Sequence, residues 1–312
     1  MKFFLLKIII NFLKKLKNYS IGKLMIILAH SILLKSRIFY EKYELIEDAE
    51  IKIFSQNGED GIVDYIIQKL NLKKPSFVEI GVGDFSESNT RLLYEMYYGN
   101  GLIVDINQDL KKKVSQNVNL WKGNLNVIET KVSSKNINSL LKEYSPYSID
   151  LFSIDIDGID YWVINELNEK ISKIFILEYN SIFGSELEVS VPDSDNFSRN
   201  EYHYSNLCYG ASLKAYVKLM DRKGYYLLGV NRLRNNAFFI NKDYPKSNFF
   251  PKIKEINIKE STNLNFTESR DQNNSLSYLD KNDSLRQILD CDIIDLSNAY
   301  NKKSKLRSVL KI

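Results

Sequence analysis

The sequence predicts an α/β protein built on a doubly wound, seven-stranded, mostly parallel sheet, preceded by an N-terminal helical extension. Three observations predict it. Short apolar runs end in a glycine or an acid, as in Ser76–Gly81 (SFVEIG) and Gly101–Asp105 (GLIVD). Segments with helical periodicity separate these runs, which is the pattern of parallel βαβ units. The series then closes with two runs too near each other for a crossover, Tyr225–Asn231 and Ala237–Asn241, so they must form an antiparallel hairpin.

The elements follow in order. A helix is expected from about Asn57, with Ile62, Ile66, Ile67 and Leu70 on its apolar face, leading into the strand Ser76–Gly81. Helix Thr90–Tyr98 and strand Gly101–Asp105 come next, then helix Lys111–Val118, strand Asn126–Val132 and helix Ile137–Tyr144. Strand Ile149–Asp155, helix Tyr161–Ile171 and strand Lys173–Tyr179 complete the parallel set. A long loop, Asn180–Cys208, precedes helix Ser212–Lys223 and the hairpin, whose turn carries Arg234, Asn235 and Asn236. The organisation expected is a basic amphipathic extension over 1–50, a catalytic domain over 51–245 and a polar extension over 246–312. That last part is read as loosely packed, with a helix at Ser284–Leu289.

Composition narrows the function. The chain of 312 residues is 44% hydrophobic and 26% charged, ordinary for a globular protein, and its net charge of +4 does not mark a nucleic-acid binder. Cys208 and Cys291 form no C-x-x-C pair, which excludes a zinc ribbon and suits a reducing, cytoplasmic setting. Lysines at 7, 14, 15, 17 and 23 interrupt the apolar N-terminal stretch, so no membrane span is expected there. At helical spacing, Lys7, Asn11, Lys14 and Asn18 share one stripe opposite Leu5, Ile9, Phe12, Leu13 and Leu16. A second stripe holds Lys23, His30 and Arg37, with Leu24, Ile27, Leu28 and Leu34 elsewhere on that helix. Residues 1–37 therefore suit peripheral contact with an anionic membrane face, or packing of the helix on the domain or a partner subunit.

The central chemical signal is Glu79-Ile-Gly81-Val-Gly83-Asp84, where a first strand meets a helix, with Asp105 ending the next strand. Glycines there let the backbone turn sharply and let a cofactor approach closely, and the acid can accept both hydroxyls of a ribose. A tight β–α turn beside a solvated Asp105 is the plainer alternative. A nicotinamide dinucleotide fingerprint needs glycine at position 86, which is Ser86. The acid two residues before the first glycine resembles instead the pattern of class I methyltransferases that use S-adenosyl-L-methionine (SAM). The chain departs from that pattern at Phe85, where those enzymes often carry a third glycine.

Two further strand ends face the same edge: Ser153-Ile-Asp155-Ile-Asp157-Gly158 and Glu178-Tyr-Asn180. Alternation puts Asp155 and Asp157 on one side of an extended segment. With Glu178 and Asn180 they form an all-oxygen set suited to Mg²⁺, Mn²⁺ or Ca²⁺, which can polarise an acceptor hydroxyl. The alternative is a metal-free polar rim, with Asp157 and Asp160 capping the next helix. Asp155 and His203, in the loop Pro192–Tyr209, are the candidate bases for a hydroxyl acceptor. Metal-dependent O-methyltransferases of this fold carry carboxylates and an amide at the same two strand ends.

Several segments together resemble the FkbM-like branch of the SAM methyltransferases. They are Phe54–Gly61 (FSQNGEDG), the Glu79–Gly83 turn, Ser153–Tyr161 (SIDIDGIDY), Ile176–Asn180 (ILEYN) and Tyr209–Ser212 (YGAS), spanning about residues 54–241. The resemblance implies Glu79, Gly81, Gly83 and Asp105 around SAM, with Gln56 and Glu59 closing over it and Asp155, Asp157 and Glu178 facing the acceptor. It also implies methylation of a sugar hydroxyl in a polysaccharide or natural-product pathway. Two rival readings are a metal-dependent glycosyltransferase using Asp155-Ile-Asp157 as its D-x-D, and a non-catalytic, membrane-associated adaptor.

Overall fold

The computed structural model describes residues 24–249, 253–254, 256–263, 267–297 and 301–311. The expected stripe over residues 7–18, and Lys23, lie outside the described residues. The described residues fall into two compact units, one ending at Lys42 and one beginning at Tyr43. In the first, residues 24–37 are helical and a 3₁₀ turn follows at Tyr40–Lys42. No helix among the described residues is long and apolar enough to cross a membrane.

The second unit holds the sheet. Its elements are α1 (Glu59–Lys69), β1 (Phe77–Ile80), α2 (Arg91–Tyr97), β2 (Gly101–Asp105), α3 (Leu110–Asn117), β3 (Leu125–Glu129) and α4 (Ile137–Tyr144). They continue with β4 (Ile149–Ile154), α5 (Asp160–Glu166), β5 (Ser172–Glu178), the short β6 (Val189–Ser190), α6 (Leu213–Arg222), β7 (Tyr225–Val230) and β8 (Asn236–Asn241). Seven of these strands form one sheet in the order β3-β2-β1-β4-β5-β8-β7, and only β8 runs antiparallel to its neighbours. This is the doubly wound, mostly parallel sheet that the sequence predicts. β1 and β4 are buried along their whole length, as strands covered on both faces must be. The one acid inside β4, Asp150, is met by Lys173 Nζ at 2.5 Å and by the Ser76 backbone N–H at 2.7 Å. Its burial is therefore compensated.

Two expectations change. The helix expected over Tyr161–Ile171 stops at Glu166, because Leu167 is extended and Lys170 takes a left-handed backbone (φ 53°) to turn the chain into β5. The stretch after Tyr244 is not a loose appendage. It forms a hairpin, β9 (Thr267–Arg270) with β10 (Leu276–Leu279), then α7 (Lys281–Gln287), β11 (Asp292–Asp295), β12 (Lys302–Lys305) and α8 (Leu306–Leu310). β11 pairs with both β12 and β6. Ile288, Ile293 and Leu306 pack with Val189, Val191 and Leu207 in a second apolar cluster. The weak periodicity of this region hid it because its strands are four residues long and bury at most one residue each.

Candidate functional site

Register builds the site. Ile80 of β1 stands opposite Val104 of β2 and Ile154 of β4, and Leu177 of β5 stands opposite Ile154. One residue further along each strand, Asp105, Gly81, Asp155 and Glu178 therefore share one row at the carboxyl edge. The chain crosses from one half of the sheet to the other between β1 and β4, the switch point at which open α/β sheets bind ligands. A cleft of about 580 Å³ opens there, lined by Gly81, Gly83, Asp105, Ile106, Asp155 and Asp157 among others.

The two glycines of the turn serve different ends. Gly81 has φ +85°, and a Cβ on it would lie 1.6 Å from the Asp155 backbone oxygen, so its smallness lets β1 and β4 run edge to edge. Gly83 has φ +60°, and a Cβ there would meet no atom within 4 Å, so its open side faces space that a ligand can use. Phe85 also adopts a left-handed backbone (φ 64°) while its ring is fully buried. Ring burial offsets the roughly 1–2 kcal/mol such a conformation costs an L-residue. The turn thus keeps a glycine-like backbone without the glycine.

Asp105 is bound to this turn. Its Oδ2 accepts the Gly83 N–H at 2.7 Å, and its Oδ1 accepts the Asn107 N–H at 2.9 Å. The carboxylate stays partly exposed at the cleft beside Ile106, an apolar side chain that is itself 63% exposed. A flexible glycine turn, an acceptor carboxylate and an apolar neighbour fit a ligand carrying a ribose and a flat base.

Glu79 lies behind the turn, fully engaged. Its carboxylate accepts from Thr90 Oγ1 at 2.5 Å, from the backbone N–H groups of Asn89 (2.9 Å) and Thr90 (3.0 Å), and from the Ser88 hydroxyl. Burial pushes its pKa up, against the pull of these donors. It braces the 88–90 loop. Glu59, at the start of α1, is fully buried. It accepts from Asn231 Nδ2 and Asn236 Nδ2, both at 2.9 Å, and from the Asn57 N–H at 2.9 Å, which ties α1 to the β7–β8 hairpin. Gln56 is exposed on the segment leading into α1, and neither it nor Glu59 lines the cleft.

The opposite wall is acidic. One oxygen from each of Asp155, Asp157 and Glu178 lies within 4.8 Å of the others, a donor set that can hold a hard divalent cation. Burial, then the charges of Asp157 and Asp160, push the Asp155 carboxyl up to about 7. Glu178 is raised well above the ordinary carboxylate range, first by burial and then by Asp155 and Asp157. Asp160 braces the turn by accepting the N–H groups of Ile156 (2.8 Å) and Gly158 (2.9 Å), and burial raises it to about 6.

Asn180 does not join this set. Its amide donates to the carbonyls of Leu207 (2.8 Å) and Tyr209 (3.1 Å), and its Oδ1 accepts the Ile182 N–H at 3.1 Å. The side chain thus pins the following loop. His203 follows the helical turn Arg199–Tyr202, with Nδ1 2.7 Å from Ser205 Oγ and its ring against Tyr204. Burial lowers its pKa, and it is not among the cleft-lining residues. Sequence reasoning missed Arg199, whose guanidinium is ion-paired with Asp157, donates Nε–H to the Asn206 carbonyl at 2.7 Å and stacks 3.6 Å over the Tyr209 ring. It also missed Phe197, which lines the cleft and packs on Tyr202. The Tyr209–Ser212 motif was the available signal, since Tyr209 carries Arg199.

No family model matches the sequence, and no curated protein matches it. Solved structures do align. The pyocyanin biosynthetic protein PhzM is 12% identical, with 56% of this chain covering 53% of that one at a TM-score of 0.35. A SAM-dependent methyltransferase from Clostridium acetobutylicum is 13% identical, with 59% of this chain covering 90% of that one at a TM-score of 0.38. The Methanococcus jannaschii fibrillarin pre-rRNA processing protein is 6% identical, with coverages of 55% and 67% and a TM-score of 0.37. The chain thus spans about half the length of PhzM.

Proposed function

We propose that the chain is a SAM-dependent methyltransferase of the FkbM-like kind, acting on a hydroxyl of a sugar or polysaccharide-related acceptor. The observation that carries this reading is the junction of Gly83 and Asp105. A glycine turn and an acid from neighbouring strands are hydrogen-bonded across the mouth of a cleft of about 580 Å³, whose far wall is the acidic set of Asp155. That size suits a nucleoside-bearing cofactor with room for part of an acceptor.

When bound, SAM supplies a methyl group already activated on a sulfonium centre. The protein's work is then alignment and management of the acceptor proton. Asp105 would hold the ribose hydroxyls, giving up its Gly83 contact for them, and the open side of Gly83 would leave room for the cofactor. Asp155 takes the acceptor's proton, since a carboxyl titrating at about 7 is matched to a base working near neutrality. Glu178, behind it, is held protonated by burial and donates to the Asp155 carboxylate, which leaves Asp155 as the member of the pair that takes up the proton. Asp155, Asp157 and Glu178 would hold a divalent ion, with Asp157 giving up Arg199 for it, and such an ion would supply Lewis acidity toward an acceptor hydroxyl.

Calorimetry of the whole chain with S-adenosylhomocysteine tests the reading. The expected result is binding by the wild type and a loss of at least about tenfold in Asp105→Ala, the scale of a charged hydrogen-bond acceptor. Repeating the titration and a methyl-transfer assay with Mg²⁺ and with a chelator separates the metal arm from the donor arm. Tight binding of a sugar nucleotide, with S-adenosylhomocysteine ignored, would replace this reading with the glycosyltransferase.

A further inference from the structure

The methyl-transfer reading leaves the first unit unused. Its helix over residues 24–37 is apolar on both sides. Ala29, Leu33 and Ser36 are buried on one face. At 100° per residue the opposite side carries Leu24, Ile27, Leu28 and Leu34, and Ile32 and Met25 continue the patch around the flank; all six are 44–62% exposed. Ile38, 72% exposed, and Phe39, 48% exposed, extend this patch past the helix end. Only Ser31 and Lys35 interrupt it, and Ser31 turns its hydroxyl back to the Ile27 carbonyl at 3.0 Å. Soluble proteins rarely leave so many large apolar side chains in one exposed cluster without something to cover them.

Charge says what covers it. Residues 1–40 hold eight Lys or Arg (Lys2, Lys7, Lys14, Lys15, Lys17, Lys23, Lys35 and Arg37) and no Asp or Glu. Two copies of such a segment repel each other, whereas an anionic lipid surface attracts it. Between Lys23 and Lys35 the run without a charge is 11 residues, short of the roughly 20 that a span needs, so the segment suits the interface and not a span. Lys35, in the midst of the apolar face, has a stem long enough to keep its ammonium among headgroups.

We propose that the exposed face of this helix, from Leu24 to Phe39, is a peripheral docking surface for an anionic bilayer. The apolar side chains enter the acyl boundary while the basic residues meet the headgroups. The proposal does not rest on the donor assignment and is read without SAM.

The experiment is co-sedimentation of the full chain with vesicles of phosphatidylcholine alone and of phosphatidylcholine mixed equally with phosphatidylglycerol. Binding to the anionic vesicles should exceed binding to the neutral ones by at least tenfold and should weaken as salt is raised. The double variant Ile27→Glu, Ile32→Glu should lose at least tenfold, while Tyr278→Glu, which removes an exposed ring 62% accessible in the second unit, should bind like the wild type. The salt and lipid series use the wild type alone, so they stand even if the double variant folds poorly. Equal binding to both vesicle types, no binding to either, or a double variant that binds unchanged would overturn the proposal. So would a concentration-dependent dimer of the wild type that the double variant abolishes while vesicles are ignored.

Discussion

The two glycines of the β1 turn should part company when each is replaced by alanine. At Gly81 the added methyl would sit 1.6 Å from the Asp155 carbonyl oxygen, with φ at +85°. Carbon–oxygen contacts settle near 3.3 Å, so the ends of β1 and β4 must separate by about 1.7 Å. That strains the Asp155 N–H bond to the Ile80 carbonyl, now 3.0 Å, at the centre of the sheet. Left-handed backbone costs roughly 1–2 kcal/mol and overpacking about 1–3 kcal/mol, so Gly81→Ala should lose about 2–5 kcal/mol. At Gly83 the methyl meets nothing within 4 Å, leaving only the backbone cost of about 1–2 kcal/mol. At about 2–4 °C per kcal/mol, the expected falls in Tm are about 4–20 °C for Gly81→Ala and about 2–8 °C for Gly83→Ala. Calorimetry on the folded Gly83→Ala protein should nevertheless show S-adenosylhomocysteine binding weakened by at least about tenfold, because the methyl takes cofactor space. Equal Tm losses, or full affinity in Gly83→Ala, would refute the division of labour between the two residues.

Two further outcomes follow from the carboxylates. Asp155 rises from 3.8 to about 7, so the folded state holds a proton that the unfolded chain releases, and stability falls as pH climbs from about 4 to about 7. Asp155→Asn removes that loss. The shift corresponds to at most about 4 kcal/mol, and since Asp155 is partly open to the cleft we expect about 1–2 kcal/mol of stabilisation at pH 8, none at pH 4, and no methyl transfer at any pH. Denaturant melts at both pH values check the sign, and a variant less stable than wild type at pH 8 would contradict it. Glu59→Gln should cost about 2 kcal/mol, roughly 4–8 °C in Tm, because with its oxygen kept on the amides of Asn231 and Asn236 its NH₂ faces the Asn57 N–H. If Glu59 tethers the hairpin and does not touch the donor, the folded variant should bind S-adenosylhomocysteine as tightly as wild type does.

The sheet was legible because its signals are local. Strands β1, β2, β4 and β5 are buried on both faces and so read as apolar runs, each ending where glycine or an acid begins, while the edge strand β3 is half exposed and mixes polar with apolar residues. The strand order and the row of Gly81, Asp105, Asp155 and Glu178 follow from such runs plus the handedness of crossovers. What tertiary structure alone decided was which polar groups remain available. Glu59, Glu79 and Asn180 look in sequence like ligand-binding residues, yet their hydrogen-bonding capacity goes to Asn231 and Asn236, to the 88–90 loop and to the carbonyls of Leu207 and Tyr209. A buried polar atom must find partners, and those partners lie 9 to 177 positions away in the chain, where no short motif names them. Arg199 is the converse. Nothing beside it in the sequence marks it, and only the return of the loop across the cleft sets its charge against Asp157 and Tyr209. Residue types and spacing determined where the edge of the sheet would be, and the satisfaction of buried hydrogen bonds decided which side chains at that edge are free to do chemistry.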